Sequence, residues 1–221
     1  MTELENKIRD YLSYSVGMNE EDINKDFEDS RKIACFIAAY AHRNQQRING
    51  DKYFIHPYSV AMNFRKILCT YKFDGDLMID LGIPFYGVEE LCYLHDVVED
   101  TDITIKEIED IFDDHPTPQY LNSFKSDIKS SLVAITHKKG ETYDEYFSRV
   151  LSNEKASLVK MLDIQDNLVI LHYSNFDEKA KDRTINYVNR FHQIDQKYHW
   201  LSKIEEYVKS PRNIYDDWED W

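Results

Sequence analysis

The sequence has few of the residues that force turns or cross-link a chain. Its 221 residues include only 6 Gly, 5 Pro and 3 Cys. Neither a disulfide scaffold nor a Pro- and Gly-rich disordered chain is therefore indicated. Cys35, Cys69 and Cys92 lie far apart and lack the close pairing of zinc and redox motifs. We expect all three to be reduced thiols of the core.

Basic residues and long apolar runs are also scarce. The 27 Lys and Arg residues face 41 Asp and Glu residues, which gives a net charge of −14. A chain this acidic, without a local basic stripe, would repel a nucleic acid duplex. No stretch reaches the roughly 18 apolar residues of a membrane span, and the start, MTELENKIRD, is charged. We expect no duplex and no membrane as a partner, and a cytoplasmic location by default.

What is present favours a helical globular protein. Hydrophobic residues make up 42% of the chain and aromatic residues 14%, and the length fits one well-buried core. Apolar residues recur at helical spacing in eight segments, namely 31–46, 56–68, 88–98, 104–113, 118–136, 143–151, 154–172 and 177–209. Residues 71–87 hold three of the six glycines and predict a connecting loop with room for one short helical turn.

These patterns predict an all-α protein with a single folded domain. We place the domain at residues 29–209, with residues 177–209 as one C-terminal helix. A charged and partly helical N-terminal extension, residues 1–28, precedes it. An acidic and aromatic tail, residues 210–221, follows it.

Acidic residues cluster around one histidine in the stretch L-C-Y-L-H-D-V-V-E-D-T, residues 91–101. On a helix, His95 and Asp96 point about 100° apart, so both could reach one ion beside the helix. Glu99 lies four residues after His95, and Asp100 four after Asp96. Because packed carboxylates repel one another, a divalent cation would stabilise such a group. A carboxylate beside that cation could deprotonate a water molecule.

Two further residues of the metal-ligating type stand on apolar helical backgrounds. His56 directly precedes Pro57, a residue favoured in the first turn of a helix. Asp163 lies between Leu162 and Ile164, where a lone carboxylate is costly unless it is paired or bound to a metal. Taken singly, these groups also fit a structural interpretation, in which they are capped or paired polar residues of the core.

Three motifs in order resemble the Rel/SpoT-type HD hydrolases, including the stand-alone small alarmone hydrolases. They are A-H-R-N-Q-Q-R-I-N-G-D-K-Y-F-I-H-P, then L-H-D-V-V-E-D-T, then V-K-M-L-D-I-Q-D-N-L, within residues 31–172. The resemblance implies a helical HD-domain bundle that holds one divalent ion, typically manganese. It implies His56, His95, Asp96 and Asp163 as metal ligands. It also implies Glu99 and Asp100 as the catalytic pair, Asn167 as a residue that faces the substrate, and Arg47 as a residue that stacks on the nucleobase.

The nucleotide itself is left open by two departures from the family pattern. Ile48 stands where alarmone hydrolases usually carry a lysine, and Ile170 replaces an expected threonine. The remaining candidates for the pocket are cations for phosphate contacts and aromatic or imidazole rings for its walls. They are Lys52, Lys138, Lys139, Arg149, Lys160, Tyr143, Tyr146 and His137.

The sequence therefore predicts a metal-dependent phosphohydrolase that cleaves a phosphoester of a small nucleotide. The candidate substrates are the 3′-pyrophosphate of an alarmone, the 2′-phosphate of a dinucleotide, and another nucleotide. One alternative is a catalytically silent HD module that binds a nucleotide or a protein partner. Another is a helical protein with no site. The sequence does not indicate an oligomeric state, and 221 residues leave no room for a separate synthetase domain.

Overall fold

Helices account for the ordered architecture of the chain, as the apolar spacing predicts. The computed structural model describes residues 1–71, 75–115, 128–171 and 177–209, and these ranges contain no β-strand. The helices are α1 (Glu3–Tyr11), α2 (Glu20–Asp26), α3 (Ser30–Ala41), α4 (Ile55–Tyr71), α5 (Gly75–Asp80), α6 (Val88–Leu94), α7 (Val97–Asp100), α8 (Ile105–Asp114), α9 (Lys129–Ile135), α10 (Tyr143–Leu151), α11 (Glu154–Leu171), α12 (Glu178–Tyr198) and α13 (Trp200–Lys209). A short π-helical segment, Leu12–Val16, continues α1. The predicted all-α class is confirmed.

The short helix α6 lies at the centre of the bundle. All seven of its residues are buried, because α3, α4 and α11 pack around it. Both of its acidic residues have a hydrogen-bond donor: Ser30 Oγ donates to Glu90 Oε1 at 2.5 Å, and Arg65 Nε donates to Glu89 Oε1 at 2.8 Å. These contacts hold the first turn of α6, and His95 follows directly after the last residue of this helix.

The first helices belong to the same core. Leu4, Ile8 and Leu12 are at most 6% exposed and lie in one apolar cluster with residues of α3, α6 and α8. The buried carboxylate of Glu5 accepts from Arg9 Nε at 2.7 Å, and His115 Nε2 lies 2.9 Å from the same oxygen. The His115 contact links α1 to the end of α8, whereas the Arg9 contact lies within α1.

Several helix boundaries differ from the expected ones. The expected C-terminal helix is two helices, because His199 adopts a left-handed conformation with φ of 56° between α12 and α13. The segment expected to be mostly loop contains the six-residue helix α5. Cys69 is exposed and Cys35 half-buried, so the expectation of three core thiols holds only for Cys92.

Some expectations fall outside the described residues. They are the first part of the helix expected at 118–136, the last residue of the helix expected at 154–172, and the tail at 210–221. Among the helices that are described, none combines the length and the apolar character needed to cross a membrane.

Candidate metal centre

Two buried histidines approach each other from different helices. His56 lies in the first turn of α4, and His95 caps the C-terminal end of α6. Both residues are 2% exposed, and their ring centroids are 5.1 Å apart. The packing of α4 on α6 therefore places two imidazoles side by side inside the bundle.

Two carboxylates complete the group. Asp163 Oδ1, from α11, lies 3.0 Å from His56 Nε2 and 3.8 Å from His95 Nε2. Asp96 Oδ2 lies 3.4 Å from His56 Nε2 and 3.2 Å from His95 Nε2. The structure thus brings all four residues that the sequence suggested as ligands around one point. We call His56, His95, Asp96 and Asp163 the metal cluster, as a name for these four candidate ligands of a single ion.

The donor set of the metal cluster fits a divalent ion. His95 Nδ1 lies 2.8 Å from the Cys92 carbonyl, which can only accept, so Nδ1 carries a proton and Nε2 faces the centre. His95 Nε2 is buried without a partner in hydrogen-bonding geometry, although Asp96 Oδ2 is near. Two imidazole nitrogens and two carboxylates are a donor set that could hold a divalent metal. Three of these four residues, His56, His95 and Asp163, form a buried group.

Without a metal, the carboxylates stabilise protons on the histidines. Burial alone would lower the pKa of His95, but the nearby Asp96 and Asp163 outweigh it and raise that pKa to about 9. Burial opposes the shift at His56 too, but hydrogen bonds to Asp163, Asp166 and Asp96 raise its pKa well above the usual value. The carboxylates repel one another less when such a positive charge lies between them.

Glu99 and Asp100 lie at the rim of the metal cluster. The chain breaks its helix at His95 and Asp96 and resumes as the four-residue α7, which carries Glu99 and Asp100. Glu99 Oε2 accepts the backbone N–H of His137 at 2.9 Å. Partial burial is the main factor that raises the pKa of both carboxyl groups. They are therefore better proton acceptors than ordinary surface carboxylates.

No protein family model matches the chain. It is 30% identical over 138 residues to a probable guanosine-3′,5′-bis(diphosphate) 3′-pyrophosphohydrolase of Synechocystis sp., with 61% of this chain and 16% of the relative covered. It is 27% identical over 174 residues to a guanosine-3′,5′-bis(diphosphate) 3′-pyrophosphohydrolase of Borreliella burgdorferi, with 76% and 24% covered. A relative from Brucella melitensis, GTP pyrophosphokinase rsh, is 25% identical over 170 residues, with 76% and 19% covered. The chain thus spans less than a quarter of the length of each of these relatives.

A solved structure shares the fold. It is a metazoan ortholog of SpoT that hydrolyzes ppGpp and plays a role in starvation responses. The TM-score is 0.52 at 22% identity, with 81% of this chain and 93% of that chain covered. This shared fold and the two pyrophosphohydrolase relatives together confirm the resemblance to Rel/SpoT-type HD hydrolases.

Three of the residues that the sequence suggested as substrate contacts are engaged with the protein itself. Lys160 Nζ donates to Asp163 Oδ2 at 2.7 Å, and Asn167 Nδ2 donates to Asp163 Oδ1 at 2.6 Å. Arg47 Nη1 donates to Asp166 Oδ2 at 3.0 Å. All three therefore lie beside the metal cluster, in contact with its members or their neighbours.

The other substrate candidates lie farther out. Tyr143 is 41% exposed at the start of α10, with its ring 5.5 Å from that of Tyr146. Lys138 is exposed in the turn before α10, where its backbone N–H donates to Glu141 Oε2 at 3.0 Å. Arg149 serves a structural role, because it donates to the carbonyls of residues 133, 134 and 136 and to Glu141.

Sequence reasoning missed two residues that touch the metal cluster. Tyr53 donates its hydroxyl to Asp96 Oδ2 at 2.7 Å and lies 3.0 Å from Asp100 Oδ2. Asp166 Oδ2 lies 2.7 Å from His56 Nδ1. The signal for Asp166 was available, since it is one helical turn after Asp163 in the same apolar helix. Tyr53 had no comparable signal.

Proposed function

We propose that the chain is a metal-dependent phosphohydrolase that removes the 3′-pyrophosphate of a guanosine alarmone or cleaves the equivalent phosphoester of a related nucleotide. One observation carries this proposal: Glu99 and Asp100, with raised pKa values, stand beside four converging metal-ligating side chains. The names of the relatives from Synechocystis and Borreliella support the alarmone as the first substrate to test.

The metal cluster would hold the ion through His56, His95, Asp96 and Asp163. We assign manganese to it, as the Rel/SpoT resemblance implies. When bound, a divalent ion there supplies Lewis-acid chemistry, polarising a phosphate oxygen and lowering the pKa of water. The rest of the mechanism belongs to the side chains at the rim.

Glu99 is the residue that we assign to proton abstraction. The His137 N–H holds Oε2, so Oε1 is the oxygen that would accept the proton of the attacking water. Asp100 assists because its carboxylate is a second proton acceptor next to Glu99. The water oxygen then forms the new P–O bond, the ester P–O bond breaks, and the leaving ester oxygen takes up the proton held by Glu99 and becomes a hydroxyl.

A cavity next to these acids has the size of a small-molecule site. It has a volume of about 630 Å³ and is lined by Glu99 and Asp100, by two further acids, Asp102 and Glu107, and by the basic residues Lys7 and Arg43. The four residues of the metal cluster are not among those that line it. We place the nucleotide on the side of Glu99 where the turn after α9 carries Lys138 and where the ring of Tyr143 lies near His137.

The test is product release from a nucleotide panel that includes ppGpp, with added Mn²⁺, monitored by chromatography. We compare the native chain with Glu99→Gln and Asp163→Ala, and with Asp182→Ala, which alters an exposed position of α12. Release of pyrophosphate that the first two substitutions abolish, and the third preserves, would support the proposal. Tight nucleotide binding without any release would instead favour a catalytically silent module.

A further inference from the structure

Arg47 emerges from a turn that leaves its backbone little freedom. In the connection between α3 and α4, the Arg47 N–H donates to the Asp51 carbonyl at 2.8 Å, and the Gly50 N–H donates to the Arg47 carbonyl at 2.9 Å. Gly50 has a φ of 88°, which favours glycine at this position. The turn therefore fixes the backbone from which the Arg47 side chain starts.

The guanidinium of Arg47 binds two neighbouring residues of α11. Nη1 donates to Asp166 Oδ2 at 3.0 Å, and Nη2 donates to Asn167 Oδ1 at 3.1 Å. Only 7% of the Arg47 side chain is exposed. The flat, forked guanidinium suits two acceptors side by side, whereas the single ammonium of a lysine does not.

Each of these two contacts continues to a different member of the metal cluster. Asp166 Oδ2, the oxygen that accepts from Arg47, also lies 2.7 Å from His56 Nδ1. Asn167 Nδ2 donates to Asp163 Oδ1 at 2.6 Å. The Arg47 guanidinium thus reaches His56 on α4 through Asp166, and it reaches Asp163 on α11 through Asn167.

We infer that Arg47, Asp166 and Asn167 are positioning residues for the metal, and that Arg47 acts on the metal ligands rather than on a nucleobase. This inference rests on the metal site of the proposed function. Asp166 accepts the proton of His56 Nδ1, which leaves the lone pair of Nε2 for the ion. Asn167 fixes one oxygen of Asp163. With so little of Arg47 exposed, its guanidinium face offers little area for a base to stack on.

The experiment measures Mn²⁺ affinity of the whole chain by electron paramagnetic resonance, without any nucleotide. We expect Asp166→Asn and Arg47→Gln to weaken binding by about 10- to 100-fold, the usual effect of losing a partner of a metal ligand. Arg47→Lys, which keeps the charge but loses the fork, should fall between Arg47→Gln and the native chain. The matched controls are Asp182→Asn and Arg183→Gln, both exposed on α12, which should change affinity by less than about twofold.

Two further readouts separate positioning from general structural support. The visible absorption bands of the Co²⁺-loaded chain report ligand geometry, and we expect them to shift in Asp166→Asn and Arg47→Gln but not in the controls. At saturating Mn²⁺, we expect Arg47→Gln to leave the nucleotide KM near the native value. Thermal melts check that each variant is folded. If Arg47→Gln does not fold, Asp166→Asn, which conserves the shape of the side chain, tests the inference in its place.

The outcomes are distinct from those of the proposed function. Native Mn²⁺ affinity in Asp166→Asn or Arg47→Gln overturns the inference, as does a raised KM in Arg47→Gln with unchanged metal binding, because a nucleobase contact would give that result. A native chain that binds neither Mn²⁺ nor Co²⁺ also overturns it. If the variants lose metal affinity but the native chain hydrolyses no nucleotide, the inference stands and the proposed hydrolase activity fails.

Discussion

The backbone N–H of His137 donates to Glu99 Oε2 over 2.9 Å, so the turn after α9 holds the carboxylate that stands beside the metal cluster. This contact orients Glu99 without involving any residue of the metal cluster. Orientation of the proposed base and binding of the metal should therefore be separable by mutation.

We expect Glu99→Gln to lower kcat by about 10²- to 10⁴-fold while Mn²⁺ affinity stays within about twofold of the native value. The amide keeps an oxygen for the His137 N–H but cannot take a proton from water. Steady-state kinetics and metal titration test the two halves separately. Glu206→Gln, at an exposed position of α13, is the matched control. Full activity in Glu99→Gln would exclude Glu99 as the base.

Tyr53 links a metal-cluster carboxylate to the acidic pair. Its hydroxyl has one proton, which Asp96 Oδ2 at 2.7 Å and Asp100 Oδ2 at 3.0 Å share. Burial is the main cause that raises the pKa of Asp100, and the Tyr53 hydroxyl opposes it. In Tyr53→Phe we therefore expect the pKa of Asp100 to rise further. Carbon-13 NMR titration of the metal-free chain measures this, and an unchanged or lower pKa in Tyr53→Phe would contradict it.

Helices were the most predictable part of the molecule, because amphipathic spacing is local. The pattern at residues 143–151 predicts α10 with its observed bounds, Tyr143–Leu151, and Thr142 caps that helix through the Glu145 N–H. The break at His199 could not be predicted. A left-handed residue at a helix end is usually Gly or Asn, so histidine at that position carries no signal.

The composition of the metal cluster was predictable, but its surroundings were not. Ligand-type residues on apolar backgrounds, together with the family resemblance, pointed to all four of its members. The hydrogen bond from Arg47 to Asp166 joins two residues that lie 119 positions apart along the chain. Such a contact follows from how α11 packs against the turn after α3, which no local pattern encodes. The same applies to Tyr53, whose partners Asp96 and Asp100 come from another segment.

Metal binding should release protons from the two histidines. In the metal-free chain the nearby carboxylates raise the pKa of His95 to about 9 and that of His56 well above its usual value, against the effect of burial. Both rings are then protonated at neutral pH, and the ion must displace these protons. We expect affinity to rise with pH through the neutral range. Calorimetry in buffers of different ionisation enthalpy counts the protons released. Affinity that is independent of pH from about 6 to about 8 would contradict these pKa shifts.

The N-terminal residues should contribute to the stability of the whole bundle. Ile8 is fully buried within the apolar cluster that joins α1 to α3 and α8. Ile8→Ala leaves a cavity there, so we expect the free energy of unfolding to fall by about 2–5 kcal/mol. Tyr14→Ala is the matched control, since Tyr14 is 87% exposed and its loss should change stability by less than about 0.5 kcal/mol.

Chemical denaturation followed by circular dichroism measures both variants. Because α1 shares its core with the helices that carry the metal cluster, we expect Ile8→Ala to shift one cooperative transition rather than to create a second one. A separate early transition for Ile8→Ala would mean that residues 1–28 unfold independently of the site. An unchanged midpoint would mean that the contacts of Ile8 contribute little. A single shifted transition would make the first helix part of the unit that holds His56 and His95 together.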